Sequence, residues 1–91
     1  MDLSELRQSI DRIDKGIIEL LSKRFKLTEE VGIFKATAGM AAQDGTRESL
    51  MMAKIAELAK EGGLQPDYAM TIYRCIIDVA ISRHNELRES L

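Results

Sequence analysis

LSELRQSIDRIDKGIIELLSKRFKLTEEVGIFK, residues 3–35, is the stretch that decides the fold. Its apolar residues recur as Leu3, Leu6, Ile10, Ile13, Ile17 and Leu20, pass through Arg24, and resume at Leu27, Val31 and Phe34. The spacings alternate between three and four without a slip, which is the seam of a helix packed lengthwise on other helices. Asp2 followed by Glu5 offers a capping box at its start. Only Gly16 and Gly32 weaken the helix before Gly39.

A helix of about 32 residues is roughly 48 Å long at 1.5 Å per residue. A compact chain of 91 residues has a radius of gyration of ~12 Å and a diameter near 30 Å. The first helix therefore overhangs its own globule, and the overhanging seam needs a partner. The simplest partner is the same helix of a second copy, so a homodimer is expected.

The segment from Ala36 to Thr46, with Gly39 and Gly45, reads as a loop in which Asp44 or Thr46 is available to cap a second helix. That helix is expected to reach about Lys60, with Met51, Met52, Ile55, Leu58 and Ala59 facing inward, before Gly62 and Gly63 stop it. Pro66 suits the first turn of a third helix running through Ile72, Ile76, Ile77 and Val79 to about Arg88. The extreme C-terminus is expected to fray. The fold class is thus all-α, a three-helix protomer with a long first helix, and residues 1–91 form one domain.

Composition excludes several functions. Thirteen basic and fifteen acidic residues nearly cancel, leaving no overall field to attract nucleic acid. Cys75, the single cysteine, has no disulfide partner, and with one histidine it makes a poor zinc set, so no metal is expected. Asp2, Glu5, Arg7, Asp11, Arg12 and Asp14 stand where a signal peptide needs an unbroken apolar core. No run approaches the roughly 18 apolar residues of a membrane span. A cytoplasmic protein without membrane contact is expected.

The informative residues are the ionisable ones that interrupt apolar stripes. Arg24 occupies a seam position, where an unpaired guanidinium costs several kcal/mol unless something compensates it. The compensation is either an internal salt bridge or a bound anion. Lys35 follows eleven residues later, within about 20 degrees of the same face, with Thr28 and Val31 between. Glu48 lies one turn before Met51, Met52 and Ile55; alone it reads as a first-turn carboxylate favoured by the helix dipole. Arg47 beside it reads as a surface residue. His84 continues the stripe of Tyr73, Ile77 and Ala80; alone it reads as a core histidine satisfied by a neighbour. One polar cavity shared by the three helices explains these charges together.

Arg7 lies roughly 25 Å along the helix from Arg24 and cannot reach the same ligand within its own chain. In a dimer with antiparallel first helices it reaches the partner's pocket, giving two composite sites. A third cation points to a small-molecule dicarboxylate.

These residues, in this order, resemble the helical, AroQ-type chorismate mutases. The match runs through Leu6-Arg7, Ile10-Asp11, Ile13-Asp14, Leu20-Leu21 and Arg24, then Glu30-Val31-Gly32 and Lys35, and on through Asp44, Arg47-Glu48, Gly63-Leu64 and Ile76-Ile77-Asp78. The resemblance implies an intertwined dimer that converts chorismate to prephenate in the shikimate pathway of aromatic amino-acid biosynthesis. It further implies that Arg24 and the partner's Arg7 clamp two substrate carboxylates, as suits a flat double donor. Arg47 would support the charge balance, and Asp44 (through its backbone) and Glu48 would hold the ring hydroxyl. Lys35 and His84 would donate to the ether oxygen. The implied [3,3] rearrangement is intramolecular and needs no nucleophile, metal or cofactor.

The sequence departs from the family pattern at His84, where glutamine or glutamate is usual, at Ala80, often serine, and at Ala41 and Gly45, where prolines are common. His84 motivates the expectation that turnover weakens as the imidazole loses its proton. Related readings on the same scaffold are a mutase for 4-amino-4-deoxychorismate, a lyase acting on isochorismate, and a non-catalytic dimerisation or regulatory module.

Overall fold

Local chemistry sets the limits of each helix. The Asp2 carboxylate accepts from the Glu5 amide at 2.8 Å and opens α1, Leu3–Thr37. At its other end the Met40 amide donates back to the Lys35 carbonyl at 2.8 Å and Gly39 takes φ +70°. Gly63, at φ +77°, ends α2 (Gly45–Glu61) in the same way, with the Leu64 amide on the Ala59 carbonyl. Both are left-handed turns that favour glycine and satisfy a helix's last carbonyls. Of the two candidate caps for α2, the residue used is Asp44, whose carboxylate accepts from the Arg47 amide at 3.1 Å; Thr46 lies inside the helix. Pro66 opens α3, Pro66–Ser90. The computed structural model describes residues 1–90, and the expected fraying at the extreme C-terminus falls outside the described residues.

The three helices comprise all of the regular structure among the described residues. α3 packs on both of the others. Along its contact with α1 the registers rise together: Arg24 lies near Tyr73, Glu29 pairs with Arg83, and Gly32 lies under His84 and Leu87. The two helices therefore run parallel. α2 runs antiparallel to α3, with the Glu48 end beside Arg74.

Gly32 is a point of close approach between α1 and α3. A Cβ there would sit 2.5 Å from His84 Cδ2 and 2.8 Å from Leu87 Cδ1, distances no carbon pair tolerates. Its cost in helix propensity thus purchases contact between α1 and α3.

The apolar seam of α1 is not what meets α3. Leu20 is 67% exposed and Phe34 68%, and Leu3, Leu6, Ile10, Ile13, Ile17, Leu27 and Val31 are all exposed as well. The face turned to α3 is the neighbouring row of Leu21, Phe25, Thr28 and Gly32. Expected inward, Leu58 is exposed; Ala59 beside it is buried and Met51, Met52 and Ile55 are half-buried. The buried apolar residues are mostly alanines, with Ile77 and Leu87 the larger ones. The chain measures 54 × 25 × 14 Å with a radius of gyration of 16.2 Å, above the ~12 Å of a compact chain this long. The first helix does overhang. No described helix is long and apolar enough to cross a membrane.

Candidate active site

The parallel α1–α3 pair and the returning α2 enclose a cavity of about 170 Å³. Clefts for drug-sized ligands hold ~300–1,000 Å³, so this one suits a small molecule. Arg24 and Lys35 line it from α1, Asp44, Arg47 and Glu48 from the start of α2, and Ala80 and His84 from α3. Thr28 and Val31 lie between the two α1 cations, as their spacing predicts. Arg7 is not brought to the pocket; it is exposed on the protruding arm of α1.

Each charge has a definite setting. Arg24 is half-buried, with Nη2 3.4 Å from Met51 Sδ and its guanidinium carbon 5.6 Å from the Tyr73 ring centroid, within cation–π range. The internal salt bridge that would have been the plainer account of Arg24 is absent among the described residues. Lys35 Nζ donates to the Ala42 carbonyl at 3.2 Å, tying the end of α1 to the loop without neutralising the charge. Arg47 is exposed at the rim. Asp44 spends one carboxylate oxygen on its cap.

Glu48 sits in the first turn of α2, where the helix dipole favours it, yet it is also 9% exposed and part of the cavity wall. Its Oε1 accepts from Arg74 Nη2 at 2.7 Å, while Oε2 is buried with no partner. His84, 6% exposed, holds Nε2 2.8 Å from the Thr28 carbonyl oxygen. A carbonyl only accepts, so Nε2 carries the proton. Its Nδ1 is buried and unpaired.

Glu48 Oε2 and His84 Nδ1 are the buried side-chain polar atoms without a partner among the described residues, and both residues line this cavity. An unmet buried polar group costs about 1–3 kcal/mol, a cost relieved when a ligand supplies the missing partner. With three cations against two carboxylates, one of them capping and one held by Arg74, the cavity favours an anion.

Flanking ion pairs brace the site. Arg83 grips both oxygens of Glu29 across the α1–α3 contact at 2.7 to 3.1 Å. That hydrogen bonding holds the Glu29 carboxyl below its ordinary range and raises the Arg83 guanidinium. Arg74 is raised by hydrogen bonds to Glu48 first and Asp78 second.

Sequence reading missed the Ala42 carbonyl, the Met51 thioether, Ile81 and Arg74. Ala42 and Met51 act through a backbone oxygen and a sulfur, groups that carry no charge to be noticed. Arg74 stands four residues before Asp78 and looks like half of a surface ion pair.

Fold and cavity define the class: an all-helical protein with a cationic pocket for a small anion, shared by three helices. Known families narrow it further. The model of the family described as chorismate mutase type II matches residues 6–85, and the chain belongs to that family. It is 39% identical over 90 residues to a bifunctional chorismate mutase/prephenate dehydratase of Aquifex aeolicus, covering 96% of this chain and 25% of that protein. It is 30% identical to a chorismate mutase of Methanocaldococcus jannaschii, over 84% of this chain and 77% of that one. An isochorismate pyruvate lyase of Pseudomonas aeruginosa is 32% identical over 82% of this chain and 73% of its own length. The chain spans about a quarter of the length of the bifunctional relative.

Proposed function

We propose that this chain is a chorismate mutase, converting chorismate to prephenate by an intramolecular [3,3] rearrangement, with residues 1–91 acting as one domain in an intertwined homodimer. The observation that carries the reading is the convergence, in one cavity, of Arg24, Lys35, Arg47, Glu48 and His84 from all three helices, in a chain belonging to the chorismate mutase type II family. A cytoplasmic setting is part of the same proposal.

In this reading Arg24, unpaired by any described carboxylate, takes one substrate carboxylate in its planar fork. The partner's Arg7 takes the other, and Arg47 at the rim adds charge. One Asp44 carboxylate oxygen caps α2 and the Asp44 carbonyl accepts from the Glu48 amide, so in this reading the Asp44 backbone N–H and Glu48 hold the substrate's ring hydroxyl. Holding the enolpyruvyl arm over the ring in a near-attack geometry supplies the entropic part of the acceleration. Lys35 aims a positive charge at the ether oxygen, where negative charge grows as the C–O bond breaks. His84 contributes a second donor there only when Nδ1 is protonated, because Nε2 is committed to Thr28. Ala80 supplies a small apolar wall.

The test is loss of chorismate absorbance with the purified protein, and identification of prephenate as product. No turnover, or pyruvate release in its place, refutes the reading. The composite site has its own test. When Arg7→Ala and Arg24→Ala chains are mixed, each heterodimer regains one intact site; random pairing then restores about a quarter of wild-type activity. Activity staying at the level of the separate variants refutes the shared site.

A second reading, a lyase acting on isochorismate, is favoured by the relative from Pseudomonas aeruginosa. Parallel assays on chorismate, isochorismate and 4-amino-4-deoxychorismate separate the three chemistries.

A further inference from the structure

Glu48 is buried and charged, and the protein satisfies only half of it. Its neighbours in the cavity are Arg24 and Lys35 from α1, Asp44 and Arg47 beside it, and His84 from α3, yet none of these bonds to its carboxylate. The one donor that does is Arg74, which does not line the cavity. Arg74 approaches from the outer side of α3, its side chain 43% exposed. Its Nη2 lies 2.7 Å from Glu48 Oε1 and 2.8 Å from Asp78 Oδ1, and its Nε donates to the same Asp78 oxygen at 3.0 Å. Asp78, one turn along the same helix, thus fixes the guanidinium in place. The fixed guanidinium in turn engages one oxygen of Glu48 and leaves the other, Oε2, buried and unpaired in a residue that lines the cavity.

We propose that Arg74 is a positioning residue for the substrate site, anchored by Asp78, which holds Glu48 with Oε1 turned outward and Oε2 presented as the acceptor for a ligand hydroxyl. The inference rests on the chorismate reading for the identity of that hydroxyl. Two features argue for positioning over surface pairing. The contact joins a half-exposed side chain to a buried one across two helices, where breaking it strands a buried carboxylate. It also satisfies one oxygen of the carboxylate and leaves the other buried without a partner, which a pair serving stability alone has no cause to do.

A double-mutant cycle on kcat/KM for chorismate tests it. Arg74→Gln and Glu48→Gln each lower kcat/KM, Arg74→Gln by about 10- to 100-fold, the range of a hydrogen bond to a charged group. The double variant is no worse than Glu48→Gln alone, because Arg74 acts only through that carboxylate. Arg74→Lys recovers part of the loss, since an ammonium reaches Oε1 but cannot fork to Asp78. Losses that multiply in the double variant, or wild-type kcat/KM in Arg74→Gln, overturn the proposal. A crystal structure of Arg74→Gln gives a readout independent of the reaction: the Glu48 carboxylate is expected to leave its present rotamer, and an unmoved Oε2 overturns the proposal. If the wild-type protein fails to turn over chorismate, the functional reading falls, while the crystal structure still decides the role of Arg74.

Discussion

Replacing Gly32 with alanine tests whether the close approach of α1 and α3 is what seats His84. Solvent-facing, such a change in a helix gains about 1 kcal/mol in propensity. Here the new Cβ falls 2.5 Å from His84 Cδ2, 2.8 Å from Leu87 Cδ1 and 3.0 Å from His84 Nε2. Carbon pairs rest at about 3.5–4.0 Å, so the imidazole or the helix must move by roughly 1 Å. Overpacking of this kind costs about 1–3 kcal/mol. The moving ring also weakens the 2.8 Å bond from Nε2 to the Thr28 carbonyl, worth about 0.5–1.5 kcal/mol. The balance is a net loss of about 1–3 kcal/mol. At about 4–8 °C per kcal/mol for a domain of this size, Tm falls by about 5–20 °C. Gly16→Ala is the matched control in the same helix: nothing of this chain lies within 4 Å of its Cβ, so Tm should rise by a few degrees. Thermal melts followed by circular dichroism at one fixed protein concentration measure both. Equal shifts for the two variants, or a more stable Gly32→Ala, refute the reasoning. In the proposed enzyme the displaced ring lowers kcat as well, since a 1 Å misplacement near the reacting atoms costs up to about 100-fold.

In the proposed dimeric enzyme Arg24→Ala should abolish measurable turnover, a loss of at least about 100-fold, without dissociating the proposed dimer in sedimentation; a dimer stabilised by the change, in a protein that never turned over chorismate, marks a non-catalytic module. The Glu29–Arg83 clasp should make stability sensitive to acid. Arg83 holds the folded-state pKa of Glu29 below its unfolded value, so the clasp contributes fully above about 4.3 and is lost as pH falls through the lower folded value. Urea midpoints measured from pH 7 downward should show a shallower decline in Glu29→Gln, and an unchanged profile counts against the clasp.

Helix limits were legible in the sequence because capping and turn chemistry are local: Asp2, Gly39, Asp44, Gly63 and Pro66 each act within a few residues. The pocket residues were legible for a different reason. Arg24, Lys35, Glu48 and His84 each interrupt an apolar stripe, and a charge on an apolar face costs too much to be idle. What the periodicity did not show is which face of α1 meets α3. Its regular seam marks the most apolar face, but α3 packs on the row carrying Gly32, where contact depends on a side chain that is missing. Periodicity counts side chains and so scores that glycine as a defect. Arg74 escaped because its link to Glu48 crosses two helices, 26 residues apart, whereas its link to Asp78 is visible as ordinary i,i+4 spacing.

The two faces of α1 also explain why its cations lie where they do. At 100 degrees per residue, the seam row of Leu20, Leu27, Val31 and Phe34 and the α3-facing row of Leu21, Phe25, Thr28 and Gly32 point roughly 120 degrees apart. Arg24 and Lys35 fall about midway between them. Residues on that boundary line whatever gap remains between α3 on one side and a helix laid along the seam on the other. A second chain docked on the exposed seam would therefore do two things by one contact: cover the apolar row that the protomer leaves in water, and wall the open side of the cavity. Burial of the seam and completion of the pocket then stand or fall together. In that geometry a charged seam substitution such as Leu20→Glu removes activity without touching a single residue that lines the cavity.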